Sequence, residues 1–308
     1  MSDYSEYDLI CVLGPTASGK TKFAVHLASE LNTEIISADS RQVYRGMDIG
    51  TGKDISEYTI PDGNGGFKQI PYHLIDIIDA GEKYDIYHYR KDFLEIYTKL
   101  RNLGQCPILC GGSGLYIEAA IRDYDLQAVP PDPQLRAKLE EEPTDRLIAK
   151  LASLKPLHNG TDYDTRKRLI RALEIAIYQS EHPQDPSQEL TSAGEKIIHP
   201  RNVKYIGINV SREERIARID ARLDARLKEG LVEEVEGLIK SGIPPENLIY
   251  YGLEYKFVTK YILGELSFEQ MREKLAIAIH QFSKRQMTWF RGMSRRGIEI
   301  EWVDPFKK

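Results

Sequence analysis

The chain has 308 residues, of which 41% are hydrophobic and 29% are charged, and its formal net charge at pH 7 is -5. Its mean hydropathy is -0.43 and its isoelectric point is about 5.9. These values are typical of a soluble protein with one large or two moderate domains, and they argue against a protein that binds every polyanion. No apolar run reaches the length of a membrane span, and residues 1–8 are polar and acidic, so we expect a cytoplasmic protein.

The three cysteines, Cys11, Cys106 and Cys110, lie in or just before apolar runs that are typical of strands. Such positions favour buried thiols over a disulfide or a metal site. We therefore expect three free cysteines.

A glycine-rich loop near the start of the chain lies between a predicted strand at 9–13 and a predicted helix that begins at about residue 20. The order strand, G-x-x-x-x-G-K-[S/T], helix is the context of a phosphate-binding loop. Its backbone amides and the helix N-terminus face one anion, the lysine adds a full positive charge, and the threonine hydroxyl can hold Mg²⁺. The loop consists of Gly14, Pro15, Thr16, Ala17, Ser18, Gly19, Lys20 and Thr21.

The residues that follow alternate between strand and helix patterns, which predicts an α/β fold with a parallel sheet flanked by helices. The predicted elements are strands at 33–38, 72–78 and 107–110, a helix at 87–102, a glycine-rich loop at 45–53 and a flexible surface excursion at 56–69.

Asp39 and the glycine-rich turn at 111–117 each follow a predicted strand. In open α/β sheets the ligand crevice lies at the carboxyl ends of the strands, so both are expected beside the phosphate loop. From the residues alone, Asp39 can ligand Mg²⁺ through water, accept a proton from a substrate, or simply cap a helix.

The pattern changes at about residue 122, where charged helices follow one another without strands. Prolines mark both a break at 129–133 and a linker at 182–200, and the helix at 164–174 has a basic face. We predict a mainly helical insertion domain at 122–196, and a core domain formed by residues 1–121 and 197–308.

The C-terminal part is predicted to be helical, with one long helical stretch at 211–239 and a final strand at 298–303. Arginines recur along the long stretch, and most of them are expected on a solvated face, although one or two near the crevice can bind an oxyanion. Residues 284–296 contain no acid and interleave basic with aromatic side chains, a pattern that suits either nucleic-acid binding or a packed terminal helix.

Together these motifs resemble the tRNA dimethylallyltransferase (tRNA isopentenyltransferase) family, in its bacterial type. They occur in order over nearly the whole chain. The segments that carry the resemblance are the phosphate loop, 37–40, 44–51, 73–76, 111–116, 171–174 and 284–291.

The resemblance implies transfer of a dimethylallyl group from dimethylallyl pyrophosphate to the exocyclic amine of the adenosine directly 3′ of the anticodon in tRNA. The phosphate loop itself predicts Mg²⁺ as cofactor and a P-loop NTPase-like fold, and we expect a monomeric enzyme. On the phosphate loop alone ATP is the natural ligand; the resemblance makes the leaving pyrophosphate the ligand instead. The alternatives are a prenyltransferase that acts on free adenine nucleotides, a P-loop small-molecule kinase, and a non-enzymatic RNA-binding module.

The resemblance also implies roles for individual residues. Asp39 is the general base or the hydrogen-bond acceptor for the amine, Ser113 stands where the family usually has a threonine that contacts the target base, and Arg222 meets the pyrophosphate. Arg218 and the whole phosphate loop bind the same pyrophosphate, and Thr21 holds the metal. The tRNA-binding positions are Asp39, Ser40, Arg41, Gln42, Arg136, Lys167, Arg168, Leu169, Ile170, Arg171, Lys284 and Arg285.

Besides Ser113, the chain departs from the family pattern at two stretches of its C-terminal part. Residues 251–254 read Tyr-Gly-Leu-Glu where the family usually has Gly-Tyr-Lys-Glu, so that the departure ends at Leu253 and Glu254 matches the pattern. Residues 279–281 read Ile-His-Gln, so that His280 and Gln281 replace a more basic stretch.

Overall fold

A computed structural model describes residues 4–63, 65–122, 128–154, 164–182 and 190–304. The chain divides into two compact units, Met1–Asp123 with Ile197–Lys308, and Tyr124–Lys196. Over the described ranges, no helix combines the length and the apolar composition that crossing a bilayer requires.

The first unit contains strands β1 (Leu9–Leu13), β2 (Ile35–Ser37), β3 (Tyr44–Arg45), β4 (Thr59–Pro61), β5 (Phe67–Gln69), β6 (Tyr72–His73), β7 (Ile78–Asp79), β8 (Ile108–Gly111), β9 (Val203–Ile208) and β10 (Ile300–Val303). Its helices are α1 (Lys20–Leu31), α2 (Ile86–Asn102), α3 (Gly114–Ile121), α7 (Arg212–Glu229), α8 (Leu231–Lys240), α9 (Pro245–Tyr251), α10 (Leu253–Ile262) and α11 (Phe268–Arg295). The second unit contains α4 (Pro133–Glu141), α5 (Thr144–Leu154) and α6 (Arg166–Glu181).

The main sheet is parallel, with strand order β10-β9-β1-β8-β2-β6. β1 lies inside the sheet, where Val12 is opposite Cys110 of β8 on one side and Ile206 of β9 on the other. Side chains of β1 alternate between two cores: Leu9 and Leu13 pack with α2, α3 and α11, whereas Val12 packs with α1. The predicted P-loop NTPase-like sheet flanked by helices is therefore confirmed.

The cysteines also agree with the prediction, because Cys11, Cys106 and Cys110 are all free. Cys11 and Cys110 are buried within the sheet. Burial raises the pKa of the Cys110 thiol to about 12, so this sulfur stays protonated and unreactive at neutral pH.

The predicted strand at 72–78 is wrong beyond His73. Leu74 and Asp76 have φ angles of 61° and 57°, in the left-handed region that no strand allows. The chain turns there because the Asp76 carboxylate accepts a hydrogen bond from the ammonium of Lys53, a side chain that is only 2% exposed. After the turn, Ile78 pairs with Tyr44 in a separate two-stranded sheet.

Two further predictions need correction. The single helical stretch at 211–239 is two helices, because the chain bends between them at Gly230, whose φ is 105°. The described part of the excursion at 56–69 contains regular structure: a 3₁₀ turn at Ile55–Tyr58 leads into β4, which pairs antiparallel with β5.

The second unit has its own small apolar core, to which α4, α5 and α6 contribute. The side chains of Leu169 and Ile170 belong to that core, with 0% and 4% of their surface exposed. Their side chains therefore hold the helices together, and the prediction that these positions bind tRNA stays a prediction.

A buried carboxylate fastens α4 to α6. Glu174 is 2% exposed and accepts two hydrogen bonds from Arg136, at 2.9 and 2.8 Å, one from the backbone of Asp132 at 2.6 Å, and one from Arg171. Burial alone would raise the pKa of Glu174, but these hydrogen bonds outweigh it and hold that pKa below its usual range. Arg136 and Arg171, both predicted to bind tRNA, are thus structural partners of Glu174 in this protein.

The exposed basic residues of α6 differ from these two arginines. Lys167 is exposed, and Arg168 is exposed with an ion pair to Asp164 at 2.7 Å. These side chains remain available to an external anion, since exposed ion pairs are weak.

We predict that Glu174→Gln destabilises the second unit by about 1–3 kcal/mol, because it removes charged hydrogen bonds from a buried site. The pKa of Glu174 is depressed by folding, so its stabilisation is complete above the ordinary value of 4.5 and is lost as the pH falls below it. Hydrogen exchange of the α4 and α6 amides, compared between wild type and variant at each pH, measures the difference. Glu181→Gln, an exposed change on the same helix, is the control. A difference in amide exchange between wild type and Glu174→Gln that stays constant down to pH 3 would contradict the stabilising role of the ionised Glu174.

Candidate active site

The carboxyl ends of β1, β2 and β8 open into a cavity of about 640 Å³. Each strand delivers one of the motifs predicted from the sequence: β1 the phosphate loop, β2 the turn at Asp39, and β8 the glycine-rich turn at 111–114. The cavity walls include Lys20, Asp39 and Ser113, so the structure brings together the residues that the crevice argument placed side by side.

The phosphate loop runs from the end of β1 to the start of α1 at Lys20. Thr16, Lys20 and Thr21 line the cavity. Ser18 points inward: its hydroxyl is buried without a hydrogen-bond partner among the described residues, and a Cβ on Gly14 would lie 2.8 Å from it. The remaining residues of the loop, Pro15, Ala17 and Gly19, do not line the cavity; they shape the turn, in which Ala17 and Gly19 have positive φ.

Lys20 carries the charge of the loop. Burial lowers the pKa of its ammonium, and the nearby Asp39 carboxylate opposes this shift. Among the described residues the ammonium has no hydrogen-bonded partner in the structure. A bound oxyanion would supply one, at the N-terminus of a helix that already favours negative charge.

The side-chain amide of Gln286, on α11, joins the phosphate loop to the second glycine-rich turn. Its Oε1 accepts a hydrogen bond from the Thr16 amide at 2.9 Å, and its Nε2 donates one to the Gly112 carbonyl at 2.9 Å. Gln286 is 8% exposed, so both bonds are shielded from water. One amide therefore sets the spacing of the two turns.

The turn at 111–114 comes close to its neighbours because three of its four residues are glycines. A Cβ on Gly114 would overlap the indole ring of Trp289, which lines the cavity and is 36% exposed. Ser113, between them, accepts a hydrogen bond from the Ser40 amide at 3.4 Å through its Oγ. The hydroxyl predicted to contact a base is thus held against the turn that carries Asp39.

Asp39 is positioned by bonds within its own turn. Its amide donates to the Ser37 hydroxyl at 3.3 Å, and its Oδ1 accepts from the Arg41 amide at 3.0 Å. Oδ2 has no hydrogen bond to another described residue. This free oxygen beside the cavity is available to accept a proton. Ser40, Arg41 and Gln42 also line the cavity, as does Arg285 from α11.

The arginines of α7 divide into two groups. Arg222 and Arg226 line the cavity one helical turn apart, whereas Arg218 does not line it and pairs with Glu214 of its own helix at 2.5 Å. Arg222 donates to the Asp54 carboxylate and, at 3.4 Å, to the Gly52 carbonyl. The structure therefore favours Arg222 for an anion site and leaves Arg218 outside it.

Arg226 was missed as a site residue by the sequence analysis. It is 9% exposed and lies 3.8 Å from Asp54 and 4.0 Å from Glu254, and its Nη2 makes no hydrogen bond to a described residue. Burial lowers the pKa of this guanidinium, and the charge of Arg222 lowers it further. Burial also raises the pKa of Glu254, against the pull of Arg226.

The two departures from the family pattern have different locations. Leu253 and Glu254 line the cavity, together with Tyr250 and Tyr251 that precede them. His280 instead pairs with Asp220 of α7 at 2.8 Å, outside the cavity, so it helps to pack α11 on α7.

The basic and aromatic segment of α11 combines the two interpretations left open above. Phe290 is fully buried in the core, as expected of a packed terminal helix, whereas Trp289 and Arg285 face the cavity. Lys284 is exposed and lies outside the cavity lining.

The donor set for a metal ion is small. Within the described residues, no group of three or more His, Cys, Asp or Glu side chains could hold a metal ion. The Thr21 hydroxyl and the Asp39 carboxylate both line the cavity. Two such oxygens fit Mg²⁺, which keeps several waters and is usually completed by substrate phosphates.

The sheet, the phosphate loop and the adjoining carboxylate define a P-loop-type protein that binds a phosphorylated ligand at its strand ends. Comparison with known proteins identifies the family. A model of the IPP transferase family matches residues 42–293, and a model described as isopentenyl transferase matches residues 7–59. The chain belongs to the IPP transferase family.

Individual proteins agree with this assignment. The chain is 54% identical to tRNA dimethylallyltransferase 1 of Parabacteroides distasonis, over 97% of this chain and 92% of that protein. The crystal structure of a tRNA isopentenylpyrophosphate transferase from Bacillus halodurans is 32% identical, with a TM-score of 0.65, over 97% of this chain and 90% of that one. A eukaryotic dimethylallyltransferase described as acting on tRNA shares the fold, with a TM-score of 0.72 at 22% identity over 96% of this chain and 74% of that one.

We predict that Gly52→Ala weakens the binding of inorganic pyrophosphate by on the order of 10- to 10²-fold, as expected for a misplaced contact. Gly52 has a φ of 64°, and a Cβ there would overlap Arg226 Nη2 and lie 2.5 Å from Arg222 Nη2, so both guanidinium groups must move. Titration calorimetry with pyrophosphate measures the effect.

The matched control for this prediction is Gly46→Ala. Gly46 lies in the same loop with a φ of 70° but has open space around it, so it shares the backbone strain without the collision. Equal losses of pyrophosphate affinity in the two variants would show that strain, and not the arginines, is responsible.

Proposed function

We propose that this protein is a tRNA dimethylallyltransferase, which transfers the dimethylallyl group of dimethylallyl pyrophosphate to the exocyclic amine of the adenosine directly 3′ of the anticodon and releases pyrophosphate. The observation that carries the proposal is that an available carboxylate oxygen, on Asp39, shares one cavity with a phosphate loop and two arginines. A general base and a site for a leaving anion are what this reaction needs. The names of the relatives support the same conclusion.

The reaction forms a bond between the adenine nitrogen and the allylic carbon, and it breaks the bond between that carbon and the pyrophosphate oxygen. The amine is a weak nucleophile, since its lone pair is shared with the ring, so the leaving group must be stabilised. The loop amides, Lys20 and Arg222 bind the pyrophosphate as its negative charge grows. Asp39 accepts the amine proton, and Ser113 orients the base.

A magnesium ion would be held by Thr21 and by pyrophosphate oxygens, where it would neutralise part of the developing charge. We take ATP binding by this loop to be incidental.

The acceptor is proposed to be a tRNA anticodon stem-loop, with its adenosine flipped out of the stack to reach Asp39. Arg41, Arg285 and Trp289 supply basic and aromatic contacts at the cavity, and these suit an unstacked RNA loop. Lys167 and Arg168 offer exposed positive charge in the helical insertion domain, which we place at residues 122–196. Lys284 adds charge on α11.

We propose that the enzyme works as a monomer in the cytoplasm. The three cysteines are free, as is usual in a reducing compartment.

The test of the function mixes the protein and Mg²⁺ with labelled dimethylallyl pyrophosphate and one of four acceptors: tRNA lacking the modification, its isolated anticodon stem-loop, AMP, or none. We expect label on the tRNA and the stem-loop only. Label on AMP would replace the proposal with a nucleotide prenyltransferase. No transfer at all, with ATP-dependent phosphorylation of a small molecule, would replace it with a kinase.

We predict that Asp39→Asn lowers the single-turnover rate of prenylation by about 10²- to 10⁴-fold, since general-base assistance is of that size. The affinity for pyrophosphate should change little, because asparagine keeps the shape of the turn. Asp79→Asn, a change in an exposed ion pair with Arg45, is the control. A wild-type prenylation rate in Asp39→Asn would show that Asp39 is not the general base.

A further inference from the structure

The carboxylate of Glu234, on α8, is enclosed by the glycine-rich loop of residues 45–53. Its Oε2 accepts hydrogen bonds from the amides of Asp48, at 2.8 Å, and Ile49, at 2.7 Å. Its Oε1 accepts one from the Gly50 amide at 3.0 Å and one from the Tyr255 hydroxyl at 2.7 Å. Three successive amides that point at one anion form a nest, which here is filled by a side chain of the same protein.

The Tyr255 hydroxyl is a dependable donor in this arrangement. Burial raises the pKa of Tyr255, and the neighbouring Glu234 raises it further, so the phenol keeps its proton. The ring of Tyr255 also packs against the loop, because a Cβ on Gly50 would lie 2.6 Å from it. The loop is therefore fixed by both a charge and a close packing contact.

Two residues beyond the nest, the carbonyl of Gly52 bonds to two residues that line the cavity. It accepts from Arg222 Nη2 at 3.4 Å and from Gln42 Nε2 at 3.1 Å. The Ser37 hydroxyl donates to Gln42 Oε1 at 3.0 Å and accepts from the Asp39 amide at 3.3 Å. A continuous chain of hydrogen bonds thus connects the arginine of the anion site with the backbone of the proposed base.

Glu234 does not line the cavity, whereas Gly50, Thr51 and Gly52 do. Its charge therefore acts on a ligand only through the loop that it holds. A carboxylate that satisfies three amides of a cavity wall fixes the position of that wall more tightly than a single contact would.

We propose that Glu234 is a positioning residue for the transferase reaction. By holding the amides of residues 48–50, it fixes the position of the Gly52 carbonyl. Through that carbonyl it fixes the positions of the Arg222 guanidinium and of the turn that carries Asp39. This inference rests on the proposed function for its kinetic part. Its binding part concerns pyrophosphate alone and stands independently.

The test uses the full chain and the variant Glu234→Gln, in which an amide group replaces one of the two acceptor oxygens and faces donors. We expect the Kd for inorganic pyrophosphate and the KM for dimethylallyl pyrophosphate to rise about tenfold, and kcat to fall about tenfold, the loss expected for one charged hydrogen bond. The Kd for tRNA should rise much less than the Kd for pyrophosphate, because the loop touches only Gln42 among the proposed tRNA-binding residues of the core domain. Glu236→Gln, an exposed change on the same helix, is the control.

Pyrophosphate binding by Glu234→Gln that equals that of Glu236→Gln would overturn the inference, as would equal losses of tRNA and pyrophosphate affinity, since these would show a general structural effect. If Glu234→Gln does not fold, Tyr255→Phe decides, because it removes one of the four hydrogen bonds: we expect about threefold weaker pyrophosphate binding, and unchanged binding refutes the proposal. Loss of pyrophosphate affinity in a protein whose wild type does not prenylate tRNA would refute the proposed function and leave this inference standing.

Discussion

The side-chain amide of Gln286 is the contact on which the geometry of the cavity depends most. The phosphate loop follows β1, and the second glycine-rich turn extends from the end of β8. Gln286 accepts from Thr16 and donates to Gly112, so a helix near the end of the chain sets the distance between two loops near its beginning. An amide suits this role because one planar group offers both an acceptor and a donor.

Most functional groups of the site are oriented through backbone atoms. Asp39 is held by the amide of Arg41, Ser113 by the amide of Ser40, and Arg222 in part by the carbonyl of Gly52. Backbone partners lose little entropy on ordering, so the charges are fixed before a ligand binds. Preorganised dipoles of this kind need no rearrangement when charge develops, which is why they lower a barrier more effectively than water does.

Sequence patterns predicted the parallel sheet and the crevice because both depend on local features, namely apolar runs and glycine-rich turns between strand and helix. They gave no indication of contacts that depend on a residue distant in the sequence. The strand at 72–78 ends at His73, where Asp76 bonds the buried ammonium of Lys53, and Arg136 pairs with Glu174, 38 residues further along the chain. Arg226 could not be separated from its neighbours on α7, because helical spacing shows which arginines share a face but not what that face meets.

The charges around Arg222 limit how the proposed pyrophosphate site can work. Arg222 and Arg226 are balanced by Asp54 and Glu254, so the structure holds no bare pair of buried guanidinium groups, whose desolvation would be costly. A pyrophosphate that binds Nη2 of Arg222 must therefore compete with Asp54 for that donor. Replacing Asp54 by pyrophosphate as the partner of Arg222 costs less desolvation free energy than bringing a fully hydrated arginine into the site. The displaced Asp54 carboxylate must then be hydrated at the edge of the cavity. Asp54 has 43% of its side chain exposed, so water can reach it there. Because Asp54 is partly exposed, it can leave Arg222 when an anionic ligand binds. Because Arg226 is buried, its positive charge stays in place at the site.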